Sequence, residues 1–119
     1  MTFRIIATSL YATAALLAFI PATMAHDDTP TITEQDIEYG PEEQVVHVGQ
    51  PIRLTNKDPF DHKSRVTEQL TGGGLGQIAL KDHTDKPGTS YTFKLNKPGT
   101  YEIRCLLHDG MTATIKAVE

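Results

Sequence analysis

Cys105-Leu106-Leu107-His108-Asp109-Gly110-Met111 brings a thiolate, an imidazole and a thioether into one short stretch of chain. The two sulfur donors are soft and favour Cu(I), while imidazole serves both oxidation states of copper. His62, at the end of Asn56-Lys57-Asp58-Pro59-Phe60-Asp61-His62, supplies a second imidazole if the fold carries it to the same place. His83, in Lys81-Asp82-His83, is the next candidate. Two imidazoles, a thiolate and a weak axial thioether form the set that suits copper in electron transfer. Zinc fits it less well, because structural zinc sites seldom use methionine. Taken singly, Cys105 reads as a small buried hydrophobe and Met111 as core filler. Their spacing around His108 turns the reading toward a metal, since a lone cysteine has no partner for an internal disulfide.

The elements that must position these side chains are strands. Turn signals recur at Gly40-Pro41, Gly49-Gln50-Pro51, Asp58-Pro59, Gly72-Gly73-Gly74, Lys86-Pro87-Gly88 and Lys97-Pro98-Gly99. Breaks at roughly every 8 to 12 residues belong to all-β sandwiches and barrels. Between them the apolar period is two. Ile52 and Leu54 share a face, as do Tyr91, Phe93 and Leu95, then Tyr101, Ile103 and Cys105, then Met111, Ala113, Ile115 and Ala117. Parity therefore turns both Cys105 and Met111 inward, with His108 in the middle of the connection between two strands. The expected fold is a Greek-key antiparallel β-sandwich of about seven or eight short strands. Residues 67–85 read as a long glycine-rich loop, with Gln77–Leu80 a short strand and Lys81–Lys86 a further turn.

The chain has 119 residues, 11 basic and 15 acidic, for a net charge of −4. That is one domain, and with no basic cluster it lacks the electrostatic footprint of a nucleic-acid-binding protein. Met1–Ala25 reads as a signal peptide cleaved after Ala25: Arg4 begins it, Ile5 to Ile20 is mostly apolar, and small residues close it. The rival reading is a retained membrane anchor. Cleavage leaves a domain spanning 26–119 that begins at His26, places the protein in the periplasm, and leaves no membrane span in the mature form. Seven acids, Asp27 to Glu43, precede the first base of that domain and read as a solvated arm and first strand, the rival reading being a docking surface for a basic partner.

From Thr31 to Val118 the chain resembles the cupredoxins, the small blue copper proteins of the plastocyanin, pseudoazurin and amicyanin group. The resemblance rests on Pro41-Glu42-Glu43, Val48-Gly49-Gln50-Pro51, Thr55-Asn56-Lys57-Asp58, Lys97-Pro98-Gly99-Thr100-Tyr101 and the Cys-x2-His-x2-Met loop, whose length is similar to that of amicyanin. It implies a cupredoxin-like sandwich in which His62, Cys105, His108 and Met111 hold one type 1 copper ion. Three departures stand out. Lys63 and Ser64 follow the first histidine where the family often has Asn or Thr, Asp109 replaces a frequent proline, and the 67–85 stretch is long and glycine-rich.

The function expected is electron carriage by Cu(I)/Cu(II) between transient redox protein partners, by a monomer that is not an enzyme and converts no substrate. The alternative is a module that carries or buffers Cu(I) without redox cycling. A third reading makes His26, as a free amino terminus, part of a copper oxidase, although no second brace ligand is evident. His47 reads as a solvent-facing strand residue. Leu106, Leu107, Pro59, Phe60 and Leu75 are expected to form an apolar collar around His108, suited to small and quickly dissociating contacts.

Overall fold

The computed structural model describes residues 14–21 and 26–119. The proposed leader and its cleavage site therefore lie largely outside the described residues. Its segment 14–21 is exposed and has no regular secondary structure. No helix among the described residues is long and apolar enough to cross a membrane.

Nine strands follow: β1 (Thr31–Gln35), β2 (Glu38–Gly40), β3 (Glu43–His47), β4 (Ile52–Asn56), β5 (His62–Gln69), β6 (Leu75–Asp85), β7 (Ser90–Phe93), β8 (Gly99–Cys105) and β9 (Thr112–Val118). They form two sheets, in the orders β2-β1-β4-β7 and β3-β9-β8-β5-β6. The alternating residues face one another between the sheets. Ile32, Ile52, Leu54, Val66, Ile103 and Ile115 are all within 1% of complete burial. Lys86-Pro87-Gly88 makes the expected turn, with Gly88 at φ 73° and the Thr89 amide donating to the Lys86 carbonyl at 3.2 Å.

The structure corrects the sequence reading in three places. Two pairings, β1 with β4 and β3 with β9, are parallel, so the sandwich is mixed. A period of two is common to both pairing senses and cannot separate them. Residues 75–85, read as loop, a short strand at Gln77–Leu80 and a further turn, are one continuous strand, β6, paired antiparallel with β5 from Leu75 opposite Gln69 to Asp85 opposite His62. β6 is an edge strand, mostly exposed, and its register against β5 shifts three times. Those two facts remove the hydrophobic alternation by which a strand is recognised. Tyr91 is the third correction, being exposed on β7 while Phe93 and Leu95 are buried.

The β1–β2 hairpin turns on Asp36 and Ile37, at φ 56° and 61°. Positive φ at both central residues is the type I′ geometry that suits the twist of a two-residue hairpin. It is strained for a β-branched side chain such as Ile37, so something outside the hairpin has to hold it.

Candidate metal centre

β5 and β8 are antiparallel neighbours, with Ser64 opposite Cys105. The start of β5 and the end of β8 therefore lie at the same pole of the larger sheet. His62 opens β5 fully buried, and Cys105 closes β8 at 4% exposure. The loop that follows is tied down by its backbone. The Cys105 amide donates to the Met111 carbonyl (3.0 Å), the Met111 amide to the His108 carbonyl (3.4 Å), and the Leu106 amide to the Lys63 carbonyl (2.8 Å). Gly110, at φ 77°, lets the chain reverse into β9, and Met111 enters the core at 2% exposure.

Three of the four side chains singled out in the sequence converge through their ligating atoms. His62 Nδ1 stands 3.2 Å from His108 Nδ1, and Cys105 Sγ lies 3.6 and 3.5 Å from those two nitrogens. A triangle with those sides has a circumscribed radius of about 2.0 Å, which matches metal–imidazole distances and falls slightly inside metal–thiolate ones. The donor set and its spacing fit a single metal ion. Met111 is buried in the hydrophobic core, and its backbone carbonyl accepts the Cys105 amide.

Asp58, read in the sequence as a turn residue and as part of the Thr55-Asn56-Lys57-Asp58 phrase, orients the first imidazole. His62 Nε2 donates to Asp58 Oδ2 at 2.8 Å, which leaves Nδ1 unprotonated with its lone pair toward Cys105 and His108. The same carboxylate accepts the Asp36 and Ile37 amides at 2.7 and 3.1 Å, so it also holds the strained hairpin. Burial pushes the Asp58 carboxyl up, but its hydrogen bonds from His62, Ile37 and Asp36 outweigh that and hold it below the usual carboxylate range. Buried Asn56 shapes the connection. Its Oδ1 accepts the Asp58 amide, and its Nδ2 donates to the carbonyls of Phe60 and Asp85. A carboxylate four residues before the histidine was the signal available in the sequence for this role.

His83, the alternative to His62, is pinned elsewhere. Its Nδ1 meets Asp85 Oδ1 at 2.6 Å, and its ring stacks on Tyr91 at 3.7 Å between centroids. His47 is exposed on β3 as expected, with Nδ1 3.2 Å from the Glu119 carbonyl. His26 is exposed, and among the described residues His62, Cys105 and His108 form the group of ligating atoms that could hold a metal. Phe60 sits against both ligand rings, 5.4 Å from His62 and 5.5 Å from His108, and Leu106 and Leu107, just before His108 in the chain, are exposed. Leu75 is not part of this collar. It pairs with Gln69, at the opposite end of β5 from His62.

Residues 26–118 match the model of the copper-binding proteins of the plastocyanin/azurin family. The chain belongs to that family. Its cofactor is one copper ion, and the family's chemistry is that of copper-binding electron-transfer proteins. Plastocyanin from Ginkgo biloba is 29% identical over 80 residues, which span 64% of this chain and 81% of the plastocyanin. A reduced amicyanin variant superposes with a TM-score of 0.63 at 20% identity, over 79% of this chain and 86% of the amicyanin. An oxidised amicyanin variant gives 0.64 at 22% identity over the same shares. At such identities these superpositions establish the fold, a cupredoxin sandwich.

Proposed function

We propose that His62, Cys105, His108 and Met111 hold one type 1 copper ion and that the protein carries single electrons between redox protein partners. The observation that carries this reading is the closed triangle of His62 Nδ1, His108 Nδ1 and Cys105 Sγ, set at one pole of a β framework. Copper bound there supplies a one-electron couple. The chain's own part is to keep the donors still. His62 is locked by Asp58, Cys105 and Met111 are joined through their backbones, and β5 and β8 are rigidly paired. Donors held in one arrangement limit the rearrangement that accompanies a change of charge. Half-buried His108, with exposed Leu106, Leu107 and Phe60 beside it, provides the route in and out and the small apolar face against which a partner docks.

The mature protein, in this reading, is the monomeric domain 26–119, released in the periplasm from the leader Met1–Ala25. The family match beginning at residue 26 supports that boundary. Nothing in the assigned chemistry requires conversion of a substrate. The test is addition of Cu(II) to the purified domain. A strong visible thiolate-to-copper absorption is expected, and it is lost in Cys105→Ser. A colourless complex, or colour that survives Cys105→Ser, overturns the assignment. Fast electron self-exchange is expected of the coloured protein.

A further inference from the structure

Behind the metal pole lies a buried polar cluster that the copper chemistry does not use. Glu34 of β1 and Ser64 of β5 are fully buried, and Tyr39 of β2 and Asp85 of β6 are each 3% exposed. Ser64 Oγ lies 2.8 Å from Tyr39 Oη, 2.8 Å from Glu34 Oε1 and 2.7 Å from Asp85 Oδ2. Glu34 Oε2 is buried with no donor to accept from. Among the described residues, no lysine or arginine hydrogen-bonds either carboxyl group.

A proton count follows from these contacts. A hydroxyl donates once and accepts up to twice. With the Tyr39 hydroxyl donating to Ser64, the single Ser64 proton serves one carboxyl group, and the other has to bring its own. Two ionised carboxylates buried together, with only the imidazole of His83 against one of them, are also disfavoured, so one takes up a proton. Glu34 is the acid whose second oxygen lacks any donor.

We propose that Glu34 is a neutral carboxylic acid that donates its proton to Ser64, which in turn donates to Asp85, and that at alkaline pH reduction of the copper is accompanied by uptake of a proton at Glu34. The second clause rests on the copper reading, whereas the first does not. In balanced form, one electron from a redox partner converts Cu(II) to Cu(I), and one proton from solvent converts the Glu34 carboxylate to the acid. His83, partly exposed and 2.6 Å from Asp85, is the path by which that proton enters. The titratable groups facing Glu34 are Tyr39 from β2, Asp58 from the connection before β5, and Asp85 from β6 with His83 behind it. His62 shares the inward face of β5 with Ser64, and Cys105 of β8 is the strand partner of Ser64. Glu34 makes no hydrogen bond to His62, Cys105, His108 or Met111. Burial first, and then the neighbouring Asp85, push the Glu34 carboxyl up to about 9. Burial and its acidic neighbours also move Tyr39 upward, so the tyrosine keeps its proton and remains the donor to Ser64. Removing one positive charge on reduction strengthens the hold of Glu34 on its proton, so the potential falls as pH rises through the range where Glu34 titrates.

Infrared spectroscopy of the metal-free domain tests the first clause independently of copper. A protonated carboxyl band is expected at pH 7, titrating near pH 9 and absent in Glu34→Gln. No such band in the folded wild type overturns the proposal. If Glu34→Gln does not fold, Asp85→Asn decides, because loss of that anion moves the titration of the band to lower pH, and an unmoved titration overturns the pairing. In the copper-loaded protein, Glu34→Gln is expected to leave the potential at pH 7 unchanged and to abolish its alkaline fall. A raised potential at pH 7 means that a negative charge was removed and overturns the neutral acid. An alkaline fall that persists in Glu34→Gln overturns the proton uptake at Glu34.

Discussion

Asp58 serves two structures with one carboxylate, the ring of His62 and the strained turn at Asp36 and Ile37. Asp58→Ala is therefore expected to act twice. Copper affinity falls about 10–100-fold, the usual effect of losing the partner that orients a ligating histidine. The metal-free protein also loses about 1–3 kcal/mol, as two turn amides are left without their acceptor. Competition with a chelator reads the first effect and thermal unfolding the second. Met111→Leu is expected to keep the colour and raise the reduction potential, because a weak axial donor tunes the ion more than it holds it. Voltammetry of the coloured variant checks this, and complete loss of metal would contradict the axial role. The convergence of Cys105 and His108 was legible because they are neighbours in the chain, and that of His62 because its distance from Cys105 is bridged by adjacent strands. Asp58, Glu34, Ser64 and Asp85 were not legible in these roles. The partners in the buried cluster are 21 to 30 residues apart, and nothing in local spacing announces them.

β4, β8 and β9 were readable because each buries one face and exposes the other, so the apolar residues mark every second position. β6 was not, since an edge strand with three register shifts buries neither face consistently. The same contrast fixes what substitutions do. Ile103 on β8 is completely buried between the sheets, and Ile103→Ala is expected to cost about 2–5 kcal/mol by leaving a cavity. Ile78 on β6 is 49% exposed, and Ile78→Ala is expected to stay within about 0.5 kcal/mol of the parent. Denaturant unfolding of the two variants side by side measures the difference. Equal losses would mean that β6 is packed as a central strand is. The bulges that hid β6 from sequence reading also twist it away from a flat edge, which discourages pairing with a second chain.

At the scale of the whole molecule, surface ion pairs such as Arg65 with Asp82, Lys86 with Asp61 and Lys116 with Glu43 are each a small contribution in water. Glu34 is different. Its ordinary value of 4.5 in the unfolded chain rises to about 9 in the fold, driven chiefly by burial. Between those limits the folded protein binds more protons than the unfolded one, so stability is fully present below the lower value and declines as pH rises through the upper one. The metal-free domain is expected to lose denaturation midpoint steadily from mildly acid to alkaline pH, and Glu34→Gln is expected to flatten that slope. Chemical denaturation across the pH range provides the check, and a wild-type curve that rises throughout would contradict it.

β9, the last strand, is not an edge of the larger sheet but lies inside it, between β3 and β8. The sheet cannot close until translation is nearly complete, since β3 has no neighbour in that sheet before β9 arrives. The loop carrying Cys105, His108 and Met111 is made just ahead of that strand. Metal capture is thereby a post-translational event, and everything at the front of the chain has left the ribosome, available to whatever handles nascent polypeptides, before there is a fold to carry along.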